Sequence, residues 1–133
     1  MHKLKEFFSN SDLFARHNNI VLLEAGEGRA LASMKIEPYH FNGAGTVHGG
    51  AIFTLADFAF AVASNSRGKL AMGINTSVNF VKAPVSGTLY AEATEQSLNP
   101  KLATYSVMVT DDLKETVAIF QGMVYRKNES ILK

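Results

Sequence analysis

The sequence predicts an α+β domain in which one antiparallel sheet of about five to six strands wraps around one long central helix. Two observations predict this fold. Two strand-type runs precede a single long apolar helical segment, and four more follow it. The connections between successive runs are short, and short connections require antiparallel pairing because a parallel return needs about a dozen residues or more. We therefore expect residues 1–133 to form a single domain.

The segments follow one another in a simple order. A short amphipathic helical cover is predicted at about residues 3–18, and a hairpin follows it. A loop that contains glycine and proline then leads into the long helix, and the remaining strands come after the helix. The predicted strands are 20–23, 30–36, 73–81, 88–97, 102–110 and 116–126.

Composition excludes several classes of function. The chain is 47% apolar and 19% charged with a formal net charge of +1, so nothing favours nucleic acid or an anionic membrane as a partner. It has no cysteine and its histidines lack ligand spacing, so we expect neither a metal site nor a bound cofactor. Polar residues interrupt the N-terminal apolar run before a signal-peptide core forms, so we expect a cytoplasmic protein.

The segment of residues 41–68 is the most informative part of the chain. It passes from a glycine-rich loop through His48-Gly49-Gly50 into a helix whose single charge is Asp57. Apolar neighbours remove hydration from this carboxylate, which raises its pKa and makes it a better base. The alternative is a structural aspartate that is bonded to a backbone group or to a nearby hydroxyl.

Two glycines stand where this helix begins. The first turn of a helix presents backbone N–H groups without intrahelical partners, and the absence of side chains at Gly49 and Gly50 lets a ligand oxygen approach them. These are the components of an oxyanion hole, which stabilises negative charge on a carbonyl oxygen. The alternative is that the glycines only let the helix begin close to a strand.

Spacing separates the two candidate groups. Gly49 and Asp57 are eight residues apart, about 12 Å along a helix axis, so they cannot act on one carbonyl within one chain. The helix is also apolar on nearly all sides, whereas one sheet covers only part of it. We therefore expect a homodimer in which the helix start of one chain faces Asp57 of the other, which gives two composite sites.

Two polar residues near the helix start are further candidates. Asn42 can donate its amide to a carbonyl or bond its own turn. His48 can act as an acid or a base, although a role in bracing the loop is the interpretation we favour.

Later residues are candidates for contacts with the substrate. Asn75, Thr76 and Ser77 offer amide or hydroxyl groups that can orient Asp57 or a water molecule, and strand alternation sends neighbouring residues to opposite faces. Lys82 and Lys101 can meet the phosphates of an anionic ligand, and the alternative for both is a solvated surface charge. Walls for a pocket are expected from among Phe53, Phe58, Phe60, Met72 and Phe80, with plain core as the alternative for each.

Together these residues resemble a known family, the hotdog-fold acyl-coenzyme A thioesterases of the phenylacetate-degradation (PaaI-like) type. The likeness extends over about residues 12–126. It rests on the spacing N-x(5)-HGG-x(6)-D formed by Asn42, His48-Gly49-Gly50 and Asp57, on NSRG at 65–68 and on NFVKAPVSGTLYAEA at 79–93.

The resemblance implies a hotdog fold, a dimer with composite sites and a tetramer made of two such dimers. It implies hydrolysis of a thioester between coenzyme A and an aryl or medium-chain acyl group, so that coenzyme A is part of the substrate. Gly49 would then donate its N–H to the thioester oxygen, with Gly50, Asn42 and His48 shaping the pocket. Asp57 of the facing chain would activate water or attack the carbonyl.

Two other functions compete with this hypothesis. A hotdog-type hydratase or dehydratase would use His48 with Asp57 on an enoyl or β-hydroxyacyl thioester. A non-catalytic acyl-coenzyme A binding module would bind the thioester and leave it intact, but binding alone does not require a carboxylate in an apolar helix.

Overall fold

The structure, a computed structural model, describes residues 1–132. Its strands are β1 Ile20–Gly26, β2 Arg29–Lys35, β3 Lys69–Phe80, β4 Thr88–Leu98, β5 Leu102–Thr110 and β6 Thr116–Ser130. They form one antiparallel sheet in the spatial order β1-β2-β4-β5-β6-β3. The helices are α1 His2–Ser11, α2 Leu13–His17 and α3 Gly49–Asn65, with a 3-10 turn at Pro38–His40. The predicted α+β architecture is confirmed, and its sheet has six strands.

The inner face of the sheet carries small residues at several positions beneath α3, which let the helix approach closely there. Alanines oppose one another on neighbouring strands, as Ala32 of β2 does with Ala91 of β4, and both are fully buried. Gly122 of β6 lies directly beneath the ring of Phe60, where an added Cβ would come within 2.6 Å of a ring carbon. The large Phe60 side chain of α3 therefore fits over a sheet position that has no side chain.

The helices α1 and α2 form the N-terminal cover over the side of α3 near β1. Phe8 of α1 is buried and packs edge-on against Phe58 of α3, with ring centroids 6.2 Å apart. Asp12 separates the two helices and caps α2, because its carboxylate accepts a hydrogen bond from the Ala15 N–H at 3.1 Å. The N-terminal cover therefore consists of two short helices that meet at Asp12.

One flank of α3 has no cover among the described residues. The edge strand β3 contacts the start of α3, and its apolar side chains Ile74 and Phe80 are 57% and 51% exposed. The flank, called here the open flank, is the helical stripe of Gly50, Thr54, Asp57 and Ala61. A single chain thus leaves apolar surface and an unpaired strand edge side by side.

Four strands are longer than predicted. β1 continues to Gly26 and β4 to Leu98. β3 begins at Lys69 and β6 continues to Ser130, since these two residues are paired with each other. Residues 127–130 are polar throughout and show no apolar alternation, so pairing with β3 rather than their own pattern makes them strand.

None of the helices described for residues 1–132 is long and apolar enough to cross a membrane, and α3, the longest, has 17 residues.

Candidate active site

The helix α3 begins at Gly49, and His48 is its N-cap. The His48 Nδ1 accepts a hydrogen bond from the Gly50 N–H at 2.8 Å, so this imidazole braces the first turn and occupies the Gly50 amide. The Gly49 N–H has no intrahelical acceptor at the first helical position, and no acceptor for it lies within residues 1–132. Gly49 therefore presents the amide that is available to an incoming oxygen, at the positive end of the helix dipole.

The loop before α3 is closed by Asn42. Its Oδ1 accepts hydrogen bonds from the N–H groups of Ala44 at 2.9 Å and Thr46 at 3.1 Å. Its Nδ2 donates to the Thr46 hydroxyl at 3.0 Å. The side chain thus bonds its own turn and keeps one amide hydrogen for another acceptor. Asn42 shapes the loop that leads to Gly49.

His40 connects the same loop to the N-terminal cover. The residue is 1% exposed, and its Nδ1 accepts a hydrogen bond from the Glu37 N–H at 3.0 Å. The proton therefore lies on Nε2, which donates to the Asn18 carbonyl at 2.9 Å. The His40 carbonyl accepts from the His48 N–H at 2.7 Å. The start of α3 is thus held in register with the end of the cover.

The strand β3 sends alternate side chains to the two faces of the sheet. Thr76 is paired with Gly122, the residue beneath Phe60, so the Thr76 side chain lies on the face that meets α3. Ser77 is paired with Gln121 and shares a shallow outer-face pocket with it. Of the two predicted strand hydroxyls, only Thr76 faces the helix, and Ser77 does not join the site.

An aromatic side chain flanks the helix start. The Phe80 ring lies 3.3 Å from the position that a Cβ on Gly49 would occupy. Phe80 therefore forms a wall beside the free amide, and the absence of a side chain at Gly49 keeps the space between them open. Phe60, an equal candidate for a pocket wall, is 2% exposed and belongs to the core instead.

Asp57 lies on the open flank of α3. Asp57 is exposed in the single chain, so the burial expected from its apolar neighbours does not hold for the residue as a whole. Protein atoms nevertheless surround the carboxylate densely enough that desolvation raises its pKa, and the negative charge of Asp12 raises it further. The pKa responds to the surroundings of the carboxylate and not to the exposure of the whole residue.

The Asp57 carboxylate has no hydrogen-bond donor among residues 1–132. The helical hydroxyl nearest in sequence, that of Thr54, donates to the Gly50 carbonyl at 2.7 Å instead. A structural aspartate would be bonded to a backbone group or a hydroxyl, and neither bond is present. The carboxylate is therefore free to accept a proton or to approach a carbonyl carbon.

Lys82 is already paired. It donates hydrogen bonds to the carboxylates of Asp111 and Glu115, and these bonds raise its pKa. A phosphate that reaches Lys82 has to displace one of these two partners.

Lys101 lies in the turn between β4 and β5, far from Lys82. Its neighbour Leu102 is paired with Tyr125, which is also the partner of Met72. Met72 precedes Lys82 by ten residues of extended chain, which is roughly 30 Å at the usual rise of a strand. The two lysines are too far apart to bind the same phosphate group.

The candidate site therefore offers one amide donor, one carboxylate and one aromatic wall. Among the described residues, no group of three or more His, Cys, Asp or Glu is placed to hold a metal ion. Gly49 and Asp57 are eight residues apart on α3, about 12 Å along its axis, so one chain does not bring them to one carbonyl. A free amide and a carboxylate with a raised pKa are groups that acyl transfer to water requires.

Two residues at this site are not distinguished by the sequence. Asp12 acts on Asp57 only because the contact between Phe8 and Phe58 docks the cover, and no sequence pattern links such distant positions. Phe80 is one of five possible walls in the sequence, and only the three-dimensional contact with Gly49 singles it out.

Relatives of this chain share its sequence over most of its length. Residues 44–118 match the family described as the thioesterase superfamily. A putative esterase of Archaeoglobus fulgidus is 41% identical over 130 residues, which cover 97% of this chain and 84% of that protein. The acyl-coenzyme A thioesterase PaaI of Escherichia coli is 32% identical over 117 residues, which cover 87% of this chain and 84% of that protein.

Solved structures share the fold as well. The E. coli PaaI protein from the phenylacetic acid degradation operon superposes with a TM-score of 0.93 at 28% identity, covering 97% of this chain and 94% of that one. A point mutant of the phenylacetic acid degradation protein PaaI from Thermus thermophilus superposes with a TM-score of 0.84 at 32% identity, covering 87% of this chain and 100% of that one. The chain is therefore an enzyme with the hotdog fold, and it belongs to the thioesterase superfamily.

Proposed function

We propose that this chain is an acyl-coenzyme A thioesterase that hydrolyses the thioester of an aryl or medium-chain acyl group to the free acid and coenzyme A. The observation that carries the proposal is the presence on one helix of a free amide at Gly49 and a free carboxylate at Asp57. The E. coli relative named as an acyl-coenzyme A thioesterase supports this choice of substrate. Coenzyme A is then part of the substrate, and the reaction needs no further cofactor.

Two copies of the chain supply one complete site in this proposal. Two α3 helices lie antiparallel across a two-fold axis, so that the Gly49 amide of one chain faces Asp57 of the other. The open flank of α3 and the exposed Ile74 and Phe80 of β3 support the arrangement, because a second copy would bury them together. Two such dimers then form the tetramer.

The proposed reaction begins with the thioester oxygen accepting a hydrogen bond from the Gly49 N–H, which stabilises the negative charge that develops there. Asp57 of the facing chain takes a proton from water while the water oxygen forms a bond to the carbonyl carbon. The tetrahedral intermediate collapses, the C–S bond breaks, and the proton passes from Asp57 to the departing thiolate. A thioester and water thus give an acid and a thiol, and Asp57 is again a carboxylate.

The same carboxylate can act as a nucleophile. An oxygen of Asp57 then bonds to the carbonyl carbon, the coenzyme A thiolate leaves, and water hydrolyses the resulting anhydride. Both routes need Asp57 in its ionised form, and both need the Gly49 amide at the carbonyl oxygen.

The other candidates support these two groups. His48 braces the first turn of α3, and Asn42 closes the loop and retains an amide hydrogen for the ligand. Thr76 faces α3 and can orient a water molecule or the carboxylate. Lys82 and Lys101 stay as proposed phosphate contacts, at opposite ends of the sheet.

Replacing Asp57 with asparagine tests the proposal. The amide keeps the size of the side chain but cannot take a proton, so kcat/KM for thiol release should fall about 10²- to 10⁴-fold across a panel of aryl and alkyl thioesters of coenzyme A. Glu6→Gln, which neutralises an exposed carboxylate on α1, is the matched control and should keep the parent rate. Thiol release by folded, dimeric Asp57→Asn at the parent rate would overturn the assignment.

A further inference from the structure

A buried histidine connects the N-terminal cover to the loop that precedes α3. His40 ends the 3-10 turn and is 1% exposed. Its two ring nitrogens bond backbone groups from different parts of the chain, because Nδ1 accepts from the Glu37 N–H and Nε2 donates to the Asn18 carbonyl. Asn18 is the residue at which α2, the second helix of the cover, ends. The proposed reaction does not use this imidazole directly.

The loop before α3 is a narrow hairpin that His40 and His48 close at its base. The His40 carbonyl accepts a hydrogen bond from the His48 N–H at 2.7 Å, and Phe41 forms an isolated β-bridge with Val47 next to it. Gly49, whose amide is proposed to bind the thioester oxygen, directly follows His48. A displacement of His40 therefore reaches the Gly49 amide through one hydrogen bond and one residue.

The imidazole fixes where the backbone of His40 lies. Within the turn, the His40 N–H bonds the Glu37 side chain while the His40 ring bonds the Glu37 N–H, which is a reciprocal capping box. Glu37 and Asn18 are themselves partly buried, so their backbone groups lose a hydrogen bond if the ring is removed. A buried polar group without a partner is costly, so the turn or the cover would have to move to restore the bonds.

We infer that His40 is a positioning residue for the proposed hydrolysis, and that the N-terminal cover sets the place of the Gly49 amide through the bond between Asn18 and His40. The inference rests on the proposed thioesterase function and adds a residue that does not touch the substrate. An oxyanion donor has to lie about 2.7–3.1 Å from the oxygen that becomes charged. A shift of about 1 Å at the start of α3 is therefore enough to weaken the proposed donor.

Replacing His40 with leucine tests the inference. Leucine removes both hydrogen bonds of the ring and leaves an apolar side chain of similar size in the buried space. We expect the kcat for phenylacetyl-coenzyme A, measured on folded protein, to fall about 10- to 100-fold. The KM should stay within about threefold of the parent, because the Gly49 amide acts on charge that develops only in the transition state.

Ser66→Ala is the matched control at the other end of α3. Ser66 is 8% exposed, and its hydroxyl also bonds two backbone groups, since it accepts from the Gly28 N–H at 2.7 Å and donates to the Ala63 carbonyl at 2.6 Å. The control should lower the free energy of unfolding but keep the parent kcat. If it lowered kcat as much as His40→Leu does, general loosening of α3 would explain both effects and the inference would fail.

Two conservative variants keep the test decisive if His40→Leu does not fold. The amide of His40→Gln is long enough to donate to the Asn18 carbonyl. The shorter His40→Asn keeps only an acceptor for the Glu37 N–H. We expect the kcat of His40→Gln to lie closer to the parent value than that of His40→Asn. Equal kcat values for the two folded variants would overturn the role of the contact with the cover.

Hydrogen exchange separates the inference from the proposed function. If the parent releases thiol from none of the thioesters, the proposed function fails, but the position of the helix start can still be measured. The His48 N–H should exchange with solvent about tenfold or more faster in His40→Leu than in Ser66→Ala, because its bond to the His40 carbonyl is loosened locally. Equal exchange rates in the two variants, or a folded His40→Leu with the parent kcat, would overturn the inference.

Discussion

At the scale of single residues, Asp57 suits the role of a base because its surroundings favour the protonated form. Desolvation contributes most to its raised pKa, and the charge of Asp12 contributes next. Asp12 also holds the fold of the cover, since its carboxylate caps α2 through the Ala15 N–H. One carboxylate thus has a structural role in the cover and an electrostatic role in the site.

This double role gives a prediction about pH. The proposed base, Asp57, has to be ionised to act, so kcat/KM should rise as the pH passes upward through its pKa, which lies above its ordinary value. Asp12→Asn removes the neighbouring negative charge and lowers that pKa, so the acid limb of the pH–rate profile should move to lower pH. Asparagine is also a good N-cap, so α2 should keep its structure.

The profile is best measured with one acyl-coenzyme A substrate for the parent, Asp12→Asn and the control Glu6→Gln. The control removes an exposed carboxylate from the same cover and should leave the acid limb in place. An acid limb that stays in place or moves to higher pH in Asp12→Asn would contradict the influence of Asp12 on Asp57.

The sequence identified Gly49 and Asp57 as candidates because both are unusual where they stand. Two glycines leave the N–H groups of the first helical turn open to a ligand oxygen, and a lone aspartate gains nothing inside an apolar helix. The sequence did not decide whether Thr76 or Ser77 faces α3. Alternation shows that the two side chains point to opposite faces of the sheet, but not which face meets the helix. No sequence pattern pointed to Asp12, because its effect on the pKa of Asp57 depends on how the N-terminal cover packs against α3.

At the scale of elements, one aromatic ring fixes α3 on the sheet. Phe60 is 2% exposed and lies over Gly73 of β3 and Gly122 of β6, where added Cβ atoms would come within 3.1 and 2.6 Å of its ring. The position of the helix relative to the edge strand depends on this fit. The spacing between the start of α3 and the Phe80 wall therefore depends on it too.

Gly122→Ala should destabilise the fold. The new methyl group has no space beneath the buried Phe60 ring, and overpacking of this kind costs about 1–3 kcal/mol. Urea unfolding measures the change.

Gly26→Ala is the matched control, because no atom lies within 4 Å of its Cβ position and its backbone does not need glycine. The free energy of unfolding of the control should stay within about 0.5 kcal/mol of the parent. If both substitutions lowered the free energy of unfolding equally, the contact with the Phe60 ring would not explain the effect of Gly122→Ala.

The sequence predicted all six strands. A short apolar run predicted the first, and alternation predicted the later ones because one face of each strand packs against the core. On β3 the structure has Val78 packed against the core, and a register shift between Gly73 and Asn75 interrupts the alternation at Ile74. Alternation did not predict that Ile74 and Phe80 would stay exposed, because exposure depends on β3 lying at the edge of the sheet. The order of the strands in the sheet depends on pairing between segments that are distant in the chain, so no local sequence pattern predicts it.

At the scale of the whole molecule, the single chain has both parts of a site but does not join them. The free amide and the free carboxylate lie about 12 Å apart along α3, and the open flank and the edge strand remain uncovered. The spacing of Gly49 and Asp57 is visible in the sequence, so the second chain that the proposal requires follows from the sequence alone. The arrangement of dimers in the proposed tetramer does not follow from it, because no residue pattern specifies that contact.

A pair of variants separates the two halves of the proposed site. Gly49→Pro removes the N–H at the first helical position, where proline is well tolerated. The preceding His48 has φ −59° and ψ 134°, an extended backbone that suits a residue before proline. We expect the kcat of this variant to fall about 10²- to 10³-fold, which is the usual effect of removing one donor from an oxyanion hole. Gly49→Ala keeps the N–H and adds the same contact with Phe80, so the difference in kcat between the two variants measures the loss of the N–H.

The most direct test of the shared site is to mix inactive Asp57→Asn with inactive Gly49→Pro, refold them together and measure thiol release from an acyl-coenzyme A. Each mixed dimer would contain one site with both an intact amide and an intact carboxylate, and a second site that lacks both. Random pairing makes half of the dimers mixed, so the mixture should regain about a quarter of the parent activity. Mixed dimers that are shown to form and yet release no more thiol than the two variants alone would contradict the shared site.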